Sequence, residues 1–141
     1  MKAAVWHGQK DVRVEDVEVK ACEPDEVRVK VAFTGICGSD LHEFLEGPIF
    51  IPVNQPDPFA KGQAPLTMGH EFSGTIEEVG SQVKDVKVGD RVAIFPTMSN
   101  EAKAEEVDLY DGYNFIGLAR DGGFAEYCTC LLYTSPSPRD A

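Results

Sequence analysis

The chain has 141 residues, 43% of them hydrophobic, which suits one domain with a real core and is short for two. Thirteen Lys and Arg stand against 24 Asp and Glu, a formal charge of −11 that makes nucleic acid and anionic membrane surfaces poor partners. Charges from Lys2 to Arg13 interrupt any apolar signal-peptide core, nothing approaches the roughly 18 apolar residues of a membrane span, and four cysteines are too sparse for a disulfide scaffold. The expectation is a cytoplasmic protein with reduced thiols.

The first half reads as β-rich. Lys2 to Trp6 is a short apolar strand, and Val12 to Glu15 alternates. Glu26-Val27-Arg28-Val29-Lys30-Val31 puts valine on one face and charge on the other, the pattern of a half-buried strand. Ser39 or Asp40 caps a short helix through Leu41, Phe44 and Leu45, stopped by Gly47-Pro48. Residues 47 to 65 carry five prolines, which excludes regular structure and predicts a long ordered loop anchored by Ile49, Phe50, Ile51 and Phe59. Strands resume at Phe72 to Val79 and Arg91 to Phe95, with a tight turn at Val88-Gly89-Asp90. Residues 97 to 122 show no strong period, and a last strand runs from Phe124 to Cys130. The tail, 131 to 141, contains Ser-Pro-Ser-Pro, which cannot continue a ladder. It resembles translated read-through of a sequencing adapter, so a non-native or disordered end is expected there.

Two short segments carry chemistry. Cys37 lies in Gly35-Ile36-Cys37-Gly38-Ser39-Asp40-Leu41-His42, and His70 in Gly69-His70-Glu71-Phe72-Ser73-Gly74. Thiolate, imidazole and carboxylate are the side chains that bind Zn²⁺ well. Taken singly, such a cysteine is a small buried apolar group and such a histidine a hydrogen-bonded strand residue. Together, metal-ligand and proton-relay types cluster twice, at positions too far apart for a zinc knuckle and suited to an open catalytic site. A zincin peptidase is rejected, because Gly74 occupies the place of the second histidine of His-Glu-x-x-His. Cys128-Thr129-Cys130 reads as ordinary strand cysteine, and Cys22 has no partner signal.

These segments, with Gly80, Val83 and Gly89-Asp90-Arg91-Val92, resemble the signature of zinc-containing medium-chain alcohol dehydrogenases. The stretch from Leu41 through Gly47-Pro48-Ile49-Phe50-Ile51-Pro52 resembles the (R,R)-butanediol dehydrogenase branch. The resemblance covers Met1 to about Cys130. It implies a mainly β fold with short helices, the GroES-like β-barrel catalytic domain (residues 1–130) of a two-domain enzyme. It further implies Cys37 and His70 as direct metal ligands, Glu71 as a ligand or a carboxylate close behind them, Asp40 as the group orienting His70, and Ser39 and His42 as a proton relay from alcohol to solvent. The substrate would be a small secondary alcohol or ketone such as butanediol or acetoin. A sorbitol- or threonine-type dehydrogenase, or a zinc-free GroES-like module of the quinone-reductase kind, are the alternatives.

Two departures qualify this. No cysteine lies between Val92 and Tyr127, so one catalytic zinc and no structural zinc is expected, with Tyr110, Tyr113, Phe115, Ile116 and Leu118 packing the 97–122 lobe instead. No Gly-x-Gly-x-x-Gly follows a strand, so the nucleotide-binding half is absent and NAD(H) or NADP(H) belongs to a full-length parent, as does any homo-oligomer. The fragment is expected to bind zinc weakly and to catalyse nothing alone.

Overall fold

A computed structural model of the chain describes residues 1–99 and 113–131. Strands β1 (Lys2–Gly8) and β2 (Asp11–Asp16) form an antiparallel hairpin, and β4 (Leu66–Thr67) pairs with the other edge of β1. A four-stranded antiparallel sheet has the order β6-β5-β3-β9, built from β3 (Glu26–Gly35), β5 (Glu71–Val79), β6 (Arg91–Ala93) and β9 (Tyr127–Leu131). The pair β7 (Thr97–Ser99) and β8 (Tyr113–Phe115) makes a third, two-stranded sheet. A bridge between Ala3 and Ala125, with Ala4 N–H donating to Phe124 O at 2.7 Å, stitches the first sheet to the approach of β9. The fold is mainly β, as expected. Among the described residues no helix is long and apolar enough to cross a membrane.

The valine alternation of β3 does what its period dictates. Val27 and Val29 are fully buried, and they pack with Phe72, Ile76, Val92, Ile116, Cys128 and Cys130 in the main core. Each such valine stabilises the fold by about 1.5–3 kcal/mol through apolar area removed from water. A smaller cluster gathers Trp6, Ile51, Leu66, Met68 and Leu118. The charged end of β3 is not all solvent-facing: Glu26 is buried and accepts from Arg120 at 2.6 Å.

Several expectations need correction. Strand β3 runs on to Gly35, because β-bulges between Arg28 and Val29 and between Val31 and Phe33 bend it while keeping it paired to β5. The helix α1 (Gly38–Glu46) is capped by Cys37, not by Ser39 or Asp40; Asp40 stands at the third helical position and its Oδ2 accepts the Cys37 N–H at 2.9 Å. The loop 47 to 65 is irregular as predicted, yet only Ile51 of its apolar residues is deeply buried, while Ile49 and Phe50 are exposed. The last strand begins at Tyr127, and the short strands β4, β7 and β8 were invisible to periodicity. Ile116 and Leu118 are buried as expected, whereas Tyr110, the side chain of Tyr113 and the tail 132–141 lie outside the described residues.

If β3 is the core's central strand, Val29→Ala lowers unfolding stability by about 2 kcal/mol in urea. Val14→Ala, at a side chain 76% exposed on β2, stays within about 0.5 kcal/mol. Equal costs at the two positions would contradict this packing.

Candidate metal centre

Register assembles the site. Strands β3 and β5 pair antiparallel with Gly35 opposite Glu71. The chain leaving β3 therefore reaches Cys37 beside the chain that enters β5 through His70. Gly69 makes that entry with φ +102°, a backbone state that side chains with a Cβ resist. A Cβ there would also stand 2.6 Å from Phe124 N.

One ligand atom each from Cys37, His70 and Glu71 lies within 4.8 Å of the others. That is the span of three ligands around one divalent ion, whose bonds to sulfur, nitrogen and oxygen are about 2.0–2.3 Å long. The imidazole of His70 is buried, Cys37 half-buried and Glu71 exposed, so the cluster opens to one side. Nε2 of His70 lies 3.3 Å from Ser39 Oγ, and Nδ1 faces Asp40 Oδ1 at 3.4 Å. That second contact is close but misaligned, and both of its atoms are buried without a hydrogen-bond partner. A cation on Nε2 fits this arrangement: it leaves the proton on Nδ1, where Asp40 can accept it.

Electrostatics point the same way. Hydrogen bonding from the Ser39 side chain and backbone, then from His70, holds the Cys37 thiol below its ordinary range. Asp40 pushes His70 up to about 9 against the opposing effect of burial, and Cys37 adds to the rise. Excess negative charge is gathered around one imidazole, the field in which a divalent cation is stabilised.

The cluster floors a cleft of about 620 Å³ whose walls include Phe50, Ile94, Phe115 and Leu118. The Phe115 ring sits 6.1 Å from His70, centroid to centroid, tilted by 47°. Five sequence-predicted site residues, Cys37, Ser39, Asp40, His70 and Glu71, therefore meet in one place. His42 stands apart, exposed on α1 one turn beyond Ser39, and among the described residues no hydrogen bond joins the two. Phe50 and Phe115, read from sequence as packing groups, are walls of the cleft. Cys128 and Cys130 face the core, and burial raises Cys22 to about 11.

The sequence profile of the alcohol dehydrogenase GroES-like domain matches residues 23–133. The chain belongs to that family. It is 52% identical over 140 residues to an (R,R)-butanediol dehydrogenase of Bacillus subtilis (strain 168), covering 96% of this chain and 40% of the relative. The crystal structure of a 2R,3R-butanediol dehydrogenase from Bacillus subtilis superposes with a TM-score of 0.90 at 48% identity, covering 96% of this chain and 40% of that one. A short chain alcohol dehydrogenase from Escherichia coli CFT073, complexed with the cofactor NADH, superposes at 0.76 with 28% identity, covering 97% and 38%. The chain thus spans about two fifths of the length of these relatives.

Thiol chemistry tests the cluster without a turnover assay. The thiolate is the nucleophile, so a lowered pKa speeds alkylation near pH 8 and a raised one slows it. Cys37 is expected to react with iodoacetamide well ahead of Cys22 and Cys128, both of which are shifted upward. Zn²⁺ is expected to protect Cys37. Mass mapping that finds Cys22 labelled first, or no zinc protection, would contradict the assignment.

Proposed function

We propose that residues 1–130 form the zinc-binding catalytic domain of an NAD(P)-dependent secondary-alcohol dehydrogenase acting on butane-2,3-diol or acetoin, with a non-native tail that begins after the family match ends at residue 133. The observation that carries this reading is the approach of Cys37, His70 and Glu71 within 4.8 Å at the floor of a cleft. The substrate class rests on the similarity to butanediol dehydrogenases over nearly the whole chain. The activity belongs to a whole dehydrogenase that also carries a nicotinamide-binding part; this chain alone is expected to hold zinc weakly and reduce no acetoin. One zinc per chain and no structural zinc are proposed. Four free thiols suit a reducing cytoplasm.

In this reading Cys37, His70 and Glu71 hold the metal, and the two anionic ligands offset its charge. Zn²⁺ in such a site supplies Lewis acidity toward a carbinol or carbonyl oxygen. The residues around it manage position and protons. Asp40 ties down the Cys37 backbone and faces His70 Nδ1 at 3.4 Å, so one carboxylate would orient both distant ligands once a metal on Nε2 leaves the proton on Nδ1. Ser39 Oγ stands at the floor of the cleft, placed to take the alcohol proton while giving up its own. A hydroxyl can do this only with a second acceptor, the role proposed for His42, whose exposure on α1 opens it to solvent.

Equilibrium dialysis with metal analysis gives the test. In the whole dehydrogenase, wild type is expected to hold about one zinc per chain, Cys37→Ser and His70→Ala to hold almost none, and Asp40→Asn to bind about 10–100-fold more weakly. Unchanged, near-zero occupancy in wild type and Cys37→Ser alike would favour a zinc-free module.

A further inference from the structure

Glu43 lies in the second half of α1, its side chain wholly enclosed at 0% exposure, and it is not among the residues lining the cleft. Its Oε1 accepts the N–H groups of Ile49 and Ile51 at 2.9 and 3.1 Å, and its Oε2 accepts that of Phe50 at 2.9 Å. A buried carboxylate needs such donors, and a loop outside any strand needs such an acceptor. Gly47 makes room for the arrangement, since a Cβ there would stand 2.3 Å from Glu43 O and 3.0 Å from Oε1.

The other end of Glu43 is held as well. Its carbonyl receives Trp6 Nε1–H at 3.2 Å and Gly47 N–H at 2.9 Å. The next two carbonyls, of Phe44 and Leu45, receive Lys10 N–H at 2.6 Å and Gln9 Nε2–H at 2.8 Å. The end of α1 is thereby fixed to the β1–β2 turn, and Glu43 extends that rigidity to residues 49–51. Phe50 hangs from this segment. The residue is 44% exposed, yet it walls the cleft shared with Cys37, Ser39, His70 and Glu71. Burial does not fix that ring; its backbone does.

We propose that Glu43 is a positioning residue: it holds the backbone at 49–51 so that Phe50 sets the width of the cleft and the size of secondary alcohol or ketone admitted. The inference rests on reading the cluster as a dehydrogenase centre. The Glu43 carboxylate is bonded to the backbone N–H groups of 49–51 and not to a metal ligand, so its loss acts on binding and selectivity more than on chemistry.

Amide hydrogen exchange on the 141-residue chain tests the positioning. Glu43→Gln keeps one acceptor oxygen and turns an NH₂ toward a donor, so the amides at 49–51 should exchange about tenfold faster while β3 and β5 stay protected. Unchanged exchange at 49–51 overturns the proposal. Steady-state kinetics of the whole dehydrogenase test the consequence. Glu43→Gln and Phe50→Ala should raise KM for butane-2,3-diol more than they lower kcat, and should shift the kcat/KM ratio toward longer diols in the same direction. Phe50→Leu should restore much of the wild-type ratio. Because Phe50 is half exposed, its variants report even if Glu43→Gln fails to fold, and an unchanged ratio in Phe50→Ala overturns the selectivity role. A wild-type enzyme without zinc or turnover would instead count against the dehydrogenase reading, and the exchange result would then judge Glu43 alone.

Discussion

The antiparallel pairing of β3 with β5, in the register that sets Gly35 opposite Glu71, is the constraint from which the rest follows. Two segments remote in sequence become neighbours because one leaves the sheet at the edge where the other enters it. A slip of one residue would turn every core valine of β3 outward and carry Glu71 away from Cys37. Burial of Val27 and Val29 therefore protects more than stability; it fixes the geometry of the cluster. The bulge between Val31 and Phe33 adds the local bend that aims the end of β3 toward α1.

Helix α1 then serves two masters. Its first turn carries Ser39 and Asp40, and Asp40 accepts the N–H of the cap residue Cys37 while its other oxygen faces His70 Nδ1 at 3.4 Å. Its last turn is held by donors from Trp6, Gln9 and Lys10, and reaches the lining residue Phe50 through Glu43. Floor and wall are thus referred to the same nine-residue rod. A short helix anchored at both ends is a stiffer support than a loop, which suits a site whose chemistry depends on sub-ångström placement.

Much of this was legible in the residues. The period-2 run at Glu26 to Val31 announced the central strand, and Cys37, His70 and Glu71 announced themselves by type and by glycine-rich surroundings. Other features left no signal. The acceptor role of Glu43 is directed at backbone N–H groups, which every residue possesses, so no partner side chain marks it. Phe50 read as a core anchor because apolar character does not say whether a ring fills a core or walls a cleft. Strands β4, β7 and β8 are two or three residues long, too short for any period to appear. The helix cap leaves no signal either, because Cys37 is a poor capping residue whose position is dictated by the sheet preceding it.

Anomalous scattering at the zinc edge, from crystals of the protein grown with Zn²⁺, bears most directly on the central claim. The account predicts one peak between Cys37 Sγ, His70 Nε2 and the Glu71 carboxylate, at about 2.3 Å from sulfur and about 2.0–2.1 Å from nitrogen. A zinc-saturated protein with density elsewhere, at Cys128 and Cys130 for example, and none at this cluster would contradict it.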